Sequence, residues 1–170
     1  MGPDGTVYRS SDLTFRTSPE DESGLDLLDG GDVALSGQDA IVVGVSSNYG
    51  GGGDDGTWGA NNVIDGDFNT LWSSAGDGDD AWIELQLPTR THVTSIGFWT
   101  RTRVISAQIF SFWVVTDLGE TYGPFEFDDA SAVHYFDVDF TADRLRFEDT
   151  DATGGNTGAV EIEVYVEPVQ

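Results

Sequence analysis

The chain has 170 residues, with 31 acidic side chains against 7 basic ones, a formal net charge of -24 and no cysteine. A surface of this charge repels nucleic acid and anionic membranes, so neither is expected as a partner. The lack of cysteine excludes disulfides and thiolate metal sites, and no apolar run approaches the ~18 residues of a membrane-spanning helix. The N-terminus has no basic stretch followed by an apolar one, so we expect no secretory signal in this chain.

The acidic residues are spread over the whole chain. Asp outnumbers Glu by 22 to 9, and all 7 basic residues are Arg. An acidic tail would instead have gathered the charges in one block. Self-repulsion of such a surface destabilises the folded chain unless cations screen it. The composition therefore predicts adaptation to molar salt, with an acidic surface in a marine or calcium-rich setting as the alternative.

Residues 1–32 are irregular in composition, and we interpret them as an N-terminal arm or linker that docks on a neighbouring molecule. From residue 33 to 170 the pattern is typical of one all-β domain. Short apolar, often alternating runs recur at spacings of roughly 8–15 residues without a helical period, which predicts an antiparallel β-sandwich. A Gly-Pro turn is expected to divide one of the segments. The predicted strands cover residues 40–45, 81–87, 93–100, 109–116, 121–127, 135–140, 144–147 and 160–166.

The segment 60–74 carries the most specific chemistry. Four oxygen-bearing side chains surround a glycine here, namely those of Asn62, Asp65, Asp67 and Thr70. A tight turn of this kind directs oxygens inward together, as Ca²⁺ requires with its six to eight oxygen ligands. The spacing is not that of an EF-hand loop. An Asx-rich turn that caps a strand is the alternative interpretation.

Five landmarks in this chain follow one another in the order known from one family. The first two are Val-Ser-Ser-Asn-Tyr at residues 45–49 and Asn-Val-Ile-Asp-Gly-Asp, with a following Thr and Trp, within residues 62–74. The other three are Ala-Trp-Ile-Glu-Leu within residues 81–87, Val-Thr-Ser-Ile-Gly-Phe at 93–98 and Val-Glu-Ile-Glu-Val-Tyr at 160–165. The stretch from Val43 to Tyr165 thereby resembles the discoidin family, the coagulation factor V/VIII type C domains. It is also similar to galactose-binding-like sandwiches such as family-32 carbohydrate-binding modules. The resemblance implies a jelly-roll-like sandwich of eight strands that works as a binding module.

The resemblance also implies a structural cation site. By motif position its side-chain ligands would be Asp65, Thr70 and Glu161, and its carbonyl ligands would come from Asn62, Asp67, Thr70 and Val160. Ca²⁺ is the expected ion, and Na⁺ is the alternative in high salt. Without the resemblance, Glu161 would be interpreted as a solvent-facing strand acid.

Members of the family bind partners through loops at one end of the sandwich. Sugar-binding members combine an aromatic platform with a few polar side chains, because the C–H faces of sugars stack on aromatic rings. Arg101 falls where many of them have a ligand-binding Arg, whereas the Asn expected after it is replaced at best by Gln108. The arginines could equally be ion-pair partners, and Trp58 could be a loop-packing residue. The ligand candidates are Tyr49, Trp58, Arg101, Arg103, Gln108 and Asn156.

Aromatic residues of the strands are assigned to the core. These are Trp72, Trp82, Phe98, Trp99 and Trp113, and the strand period places Phe98 and Trp99 on opposite faces. His92 and His134 lie in or beside strand patterns without a nucleophile at a sensible position, and no pair of carboxylates can be singled out as a catalytic dyad. We therefore expect no enzymatic activity. The acidic loop tips argue against anionic lipids.

The sequence thus predicts an extracellular, calcium-stabilised and non-catalytic module that recognises cell-surface glycans in adhesion or host attachment in high salt. The alternative is a structural subunit of a virion or cell-surface assembly, such as a tail, a capsid decoration or a filament. Its loops and the segment 1–32 would then contact other subunits. An accessory module of a larger glycosidase is a third interpretation.

Overall fold

The computed structural model describes residues 31–101 and 107–166 of the chain. Most of the expected N-terminal arm, residues 1–30, and the ligand candidate Arg103 lie outside the described residues. Within them, no helix is long and apolar enough to cross a membrane.

Antiparallel strands form most of the described structure. The strands are β1 (Ile41–Val45), β2 (Trp82–Thr100), β3 (Ile109–Thr116), β4 (Thr121–Glu126), β5 (His134–Ala152) and β6 (Ala159–Val166). Short 3₁₀ turns at Ser36–Gln38, Tyr49–Gly51, Ala60–Ile64 and Gly78–Asp80 lie in the connections. This architecture confirms the predicted antiparallel β-sandwich.

Two strands belong to both layers of the sandwich. β2 and β5 each run for 19 residues. They pair with each other in two stretches, first through residues Trp82–Gln86 of β2 and again from Thr91 of β2 onward. The break in the pairing contains Pro88, which has no N–H to donate to the ladder. The first half of β2 also pairs with β1, and its second half pairs with β6. The predicted short strands 81–87 and 93–100 are therefore one long strand, as are 135–140 and 144–147.

The predicted Gly-Pro turn between residues 121 and 127 is wrong. Gly123 and Pro124 lie inside β4, which pairs with β3 through Tyr122 opposite Val114 and Phe125 opposite Phe112. The register shifts between these two pairs, so the strand bulges at Gly-Pro instead of ending there. A proline is tolerated here because β4 is at the edge of its sheet.

The core between the layers combines aliphatic side chains with a group of packed aromatic rings. Trp72 and Phe98 are each 1% exposed, and the Phe98 ring stacks on Phe112 with ring centroids 4.5 Å apart. Trp99 lies on the opposite face from Phe98, as expected from the strand period, but it is half-buried, which corrects its assignment to the core. Trp82 and Trp113 are also half-buried, which corrects their assignment to the core. They face outward because their positions alternate with the buried Ile83, Phe112 and Val114 along the strands.

The first described residues pair with the outer edge of β6. The N–H of Val33 donates to the Val164 carbonyl at 2.8 Å. Asp32 Oδ1 accepts the N–H groups of Val164 at 2.8 Å and Ala34 at 2.9 Å. Burial raises the pKa of Asp32 to about 6, although these two hydrogen bonds act in the opposite direction. The chain therefore enters the sandwich beside β6, next to the candidate metal site.

Candidate functional site

Three of the predicted ligand residues meet around Ser73, which is 1% exposed. The N–H of Tyr49 donates to the Ser73 carbonyl at 2.7 Å, and the N–H of Ser73 donates to the Trp58 carbonyl at 3.1 Å. The hydroxyl of Ser73 donates to the Asn156 carbonyl at 3.4 Å. Loops that are far apart in sequence thus converge on one buried serine. Sequence reasoning missed Ser73 because these contacts use main-chain groups, which leave no residue pattern.

The outer surface of this cluster is formed by the candidates themselves. The Tyr49 side chain is 49% exposed, Asn156 is exposed and Trp58 is half-buried. An aromatic ring and a side-chain amide are therefore available to a ligand at this end of the sandwich. We name Tyr49, Trp58, Ser73 and Asn156 the Ser73 cluster.

Arg101 holds the loop that contributes Asn156 to the Ser73 cluster. Its N–H donates to the Gly158 carbonyl at 2.9 Å, and its guanidinium Nη1 donates to the Asn156 carbonyl. Because Arg101 is only 9% exposed, its position suits holding the 153–158 loop better than presenting a charge on the surface. The structure thus brings Arg101 to the loop that contains Asn156, with a buried guanidinium, and its contact with a ligand stays a prediction.

Gln108 lies at the other base of the same loop. Its N–H donates to Thr153 Oγ1 at 3.0 Å, and its carbonyl accepts the N–H of Thr153 at 2.9 Å. Both contacts are made by the main chain of Gln108. The residue therefore anchors the start of the loop that ends at Asn156 and Gly158.

The 157–159 segment lies directly against the 72–74 segment. The N–H of Trp72 donates to the Ala159 carbonyl at 2.9 Å, and the N–H of Ser74 donates to the Thr157 carbonyl at 2.7 Å. A Cβ added at Gly158 would lie 2.0 Å from the Trp72 carbonyl oxygen. Only glycine therefore permits this approach, which places the Asn156 loop beside Ser73.

The candidate metal ligands come from one loop and from β6. Thr70 Oγ1 lies 2.8 Å from both Asp65 Oδ2 and the Asp67 carbonyl oxygen. The N–H of Gly66 donates to Glu161 Oε1 at 3.3 Å, which connects the loop to β6. The structure thus brings Asp65, Thr70 and Glu161 together, as the family motif implies.

Glu161 is the unusual member of this set. Its side chain is 1% exposed, and its Oε2 atom is buried without a hydrogen-bond partner. Burial raises the pKa of Glu161 to about 9, and the negative charges of Asp65, Asp32 and Glu163 raise it further. An unpartnered carboxylate oxygen beside a second carboxylate fits a bound cation, which would supply the missing partner.

Two other members of the oxygen-rich loop use their side chains differently from the expectation. Asn62 Nδ2 donates to the Leu71 carbonyl at 2.9 Å and to the Thr57 carbonyl at 3.1 Å, so its amide holds the loop together. Asp67 Oδ1 accepts the N–H of Asn69 at 3.0 Å, and this bond lowers the pKa of Asp67. Their main-chain carbonyls, together with that of the buried Val160, remain the ligands that the motif implies. Across residues 31–101 and 107–166, no three acidic or histidine side chains form a metal cage, so any cation here would depend on carbonyl oxygens.

A separate groove of about 600 Å³ lies between β1 and the Ala60–Ile64 turn. It is lined by Ile41, Val42, Asn61, Asn62 and Asp65, among others, and contains no member of the Ser73 cluster. It shares Asn62 and Asp65 with the candidate metal loop.

Both histidines lie on strands near the surface, as predicted. His92 Nε2 is 2.7 Å from Asp139 Oδ1, and Asp139 is highly exposed. The ring of His134 stacks on that of Phe127 with centroids 4.7 Å apart.

Comparisons with known proteins identify the family. The family model of the F5/8 type C domain matches residues 43–164, and the chain belongs to this family. No curated protein sequence matches the chain.

Solved structures share the fold at low sequence identity. The family-32 carbohydrate-binding module of NanJ from Clostridium perfringens, in complex with galactose, has 19% identity and a TM-score of 0.64 over 79% of this chain and 97% of that chain. A second C. perfringens structure, in complex with GalNAc-β-1,3-galactose, has 18% identity and a TM-score of 0.62 over 75% of this chain and 95% of that chain. The family-32 module of EndoD from Streptococcus pneumoniae has 14% identity and a TM-score of 0.61 over 81% of this chain and 100% of that chain.

Proposed function

We propose that this domain is a non-catalytic module that binds glycans of a cell surface through the Ser73 cluster. The convergence of Tyr49, Trp58 and Asn156 on Ser73 is the observation that carries the proposal. Membership in the F5/8 type C family supports a binding module, and two structural neighbours were solved with galactose-containing ligands.

Each residue of the cluster has a separate role in this proposal. The exposed ring of Tyr49 stacks on the C–H face of a sugar, and the half-buried Trp58 extends the apolar surface. The Asn156 side chain offers two donors and an acceptor to sugar hydroxyls. Arg101 acts as a positioning residue, because its guanidinium holds the Asn156 carbonyl.

The proposal predicts that small changes at the cluster weaken glycan binding. We expect Tyr49→Ala to lower the affinity for galactose-terminated glycans by about tenfold, which corresponds to about 1.4 kcal/mol. The Trp58→Ala, Arg101→Ala double variant is expected to lose binding. The measurement is a glycan array followed by titration calorimetry, carried out in high salt with Ca²⁺. Leu118→Ala, which changes an exposed apolar residue between β3 and β4, is the control and should bind as the wild type.

A folded wild-type protein that binds no glycan would contradict this function. That result would favour the structural-subunit alternative, in which the same loops contact other subunits of a virion or surface assembly. The Arg101→Lys variant tests whether Arg101 positions the Asn156 loop or contacts the glycan through its charge. Lysine keeps the charge but lacks the planar fork that reaches the Asn156 carbonyl.

The candidate metal site completes the proposed module. We assign Ca²⁺, or Na⁺ in high salt, to the side chains of Asp65, Thr70 and Glu161, with carbonyls of Asn62, Asp67, Thr70 and Val160. The bound ion would neutralise the buried Glu161 and tie the loop to β6. Its role is structural.

We propose that the module acts outside the cell, and its acidic surface supports adaptation to concentrated salt. We expect the midpoint of urea unfolding to rise steadily between low salt and molar KCl. The reason is that the Debye length falls from about 10 Å at 0.1 M to about 3 Å at 1 M, which screens the repulsion between carboxylates. The Glu161→Gln variant should show the same rise, which separates screening from ion binding at the metal site. Full stability of the wild type in low-salt buffer with chelator would contradict a halophilic adaptation.

A further inference from the structure

Besides Glu161, a second buried carboxylate has an oxygen without a hydrogen-bond partner among the described residues, and it belongs to Asp149. Asp149 is near the end of β5, on the same face as the core residues Leu145 and Phe147. It is 6% exposed, and its Oδ2 atom is buried without a hydrogen-bond partner. Burial raises the pKa of Asp149 well above its usual range, and the charges of Asp79 and Asp77 raise it further. An ionised carboxylate in this place lacks a partner.

The side chain of Asp149 borders a small cavity with a strongly negative lining. The cavity has a volume of about 220 Å³. Arg146 is the basic residue in its lining, and its Nε lies 2.9 Å from Glu148 Oε1. The Arg146 guanidinium also lies over the Trp82 ring, with its carbon 3.9 Å from the ring centroid. Four carboxylates and this single guanidinium line the cavity together with the Trp82 ring. The carboxylates belong to Asp79, Asp80, Glu148 and Asp149.

The turn that closes this cavity is fixed to the end of β5. Asp79 Oδ1 accepts the N–H of Ala152 at 2.8 Å, and the N–H of Asp149 donates to the Ala81 carbonyl at 2.9 Å. The N–H of Gly78 donates to the Gly155 carbonyl at 2.9 Å. Asp79 therefore stays next to Asp149 although like charges repel each other. A positive ion between them would remove this conflict.

We propose that this cavity binds a hard cation, with Asp149 and Asp79 as its protein carboxylate ligands and water in the remaining positions. The site is distinct from the Asp65–Glu161 site and uses no residue of it. Two carboxylates with water make a weaker site than a full oxygen cage, so its occupancy depends on the salt concentration. The ion connects the Gly78–Asp80 turn to the end of β5, from which the Asn156 loop begins.

Terbium luminescence tests this site, because Trp82 lines the cavity and can transfer energy to a bound Tb³⁺ ion. The full chain is used in a Glu161→Gln background, which removes the other candidate site. We expect this protein to sensitise Tb³⁺ emission, and Asp149→Asn to weaken Tb³⁺ binding at least tenfold. Asp151→Asn, an equal charge change at an exposed position of the same strand, is the matched control and should bind as before. Competition with Ca²⁺ and with molar NaCl identifies which ion the site holds.

Equal Tb³⁺ binding by the Asp149→Asn and Asp151→Asn proteins would overturn the proposal and leave Asp149 as a protonated core residue. Absence of sensitised emission in the Glu161→Gln background would overturn it as well. If Asp149→Asn fails to fold, Asp79→Asn decides, since Asp79 is exposed and asparagine retains the oxygen that accepts the N–H of Ala152. Undiminished Tb³⁺ binding by Asp79→Asn would then overturn the site.

Discussion

Replacing Glu161 with glutamine is expected to stabilise the calcium-free protein and to abolish its response to calcium. With a pKa of about 9, Glu161 is protonated in chelator at neutral pH, so folding of the wild type must place a proton on a buried acid whose Oε2 has no partner. Glutamine is neutral without this proton and can still accept the N–H of Gly66, so the variant should raise the free energy of unfolding by about 1–3 kcal/mol. With Ca²⁺ at a hundred times its dissociation constant, the wild type should gain about 2.7 kcal/mol and the variant nothing. Urea unfolding in KCl, with chelator and with Ca²⁺, measures both effects.

Glu163→Gln is the matched control for this experiment. Glu163 lies two positions along β6 and is also buried, but its Oε2 accepts the hydroxyl of Tyr165 at 2.8 Å. This variant should therefore keep the calcium response. A wild type that gains no stability from Ca²⁺, together with a Glu161→Gln protein that is no more stable in chelator, would contradict the metal assignment.

Alanine at position 158 is expected to cost at least about 3 kcal/mol of stability, because its Cβ would collide with main-chain atoms that side-chain rotation cannot move. The nearest of these atoms, the Trp72 carbonyl oxygen, would lie 2.0 Å away. Separation of the two segments would also disrupt the main-chain bond from Arg101 to Gly158 and the support of Asn156. Glycan binding should therefore be lost in any Gly158→Ala protein that still folds. Chemical unfolding and glycan titration measure the two losses.

Gly155→Ala provides the comparison for this substitution. A Cβ at Gly155 would have its nearest neighbour 3.5 Å away, which is an ordinary contact. We expect this variant to stay within about 0.5 kcal/mol of the wild type. Equal stability of the two alanine variants would show that the 72–74 and 157–159 segments are not in close contact.

The strands could be predicted from the sequence because alternation is a local signal. Trp82 to Leu87 shows the alternation directly, and the buried positions of β2 follow it. The sequence could not predict that two short strands join into β2, since Pro88 resembles the end of a strand. The two parts are joined by pairing with β5, whose residues lie elsewhere in the chain. The turn predicted at Gly123 and Pro124 was wrong for the same reason, because the pairing of β4 with β3 overrides the local turn signal.

The candidate site was partly predictable for a related reason. The motif around Asp65 and the closing Glu161 implied their proximity, which the structure reproduces. Ser73 carried no such signal, because its contacts are mainly with carbonyl and N–H groups that every residue has. Asp149 was one acidic residue among 31, and its burial depends on how the Gly78–Asp80 turn packs over β5.

The continuity of β2 and β5 has a mechanical consequence. A ligand held at the loop end would pull on Thr100, the last residue of β2. Thr100 pairs with β6, and the rest of the second half of β2 pairs with both β5 and β6. Because the same two strands run through both layers, tension along them loads many hydrogen bonds in shear at once. One layer cannot unfold before the other unless the pairing of a strand that both layers share is disrupted. A domain built in this way would carry force along both layers together, which suits the proposed role in binding glycans of a cell surface.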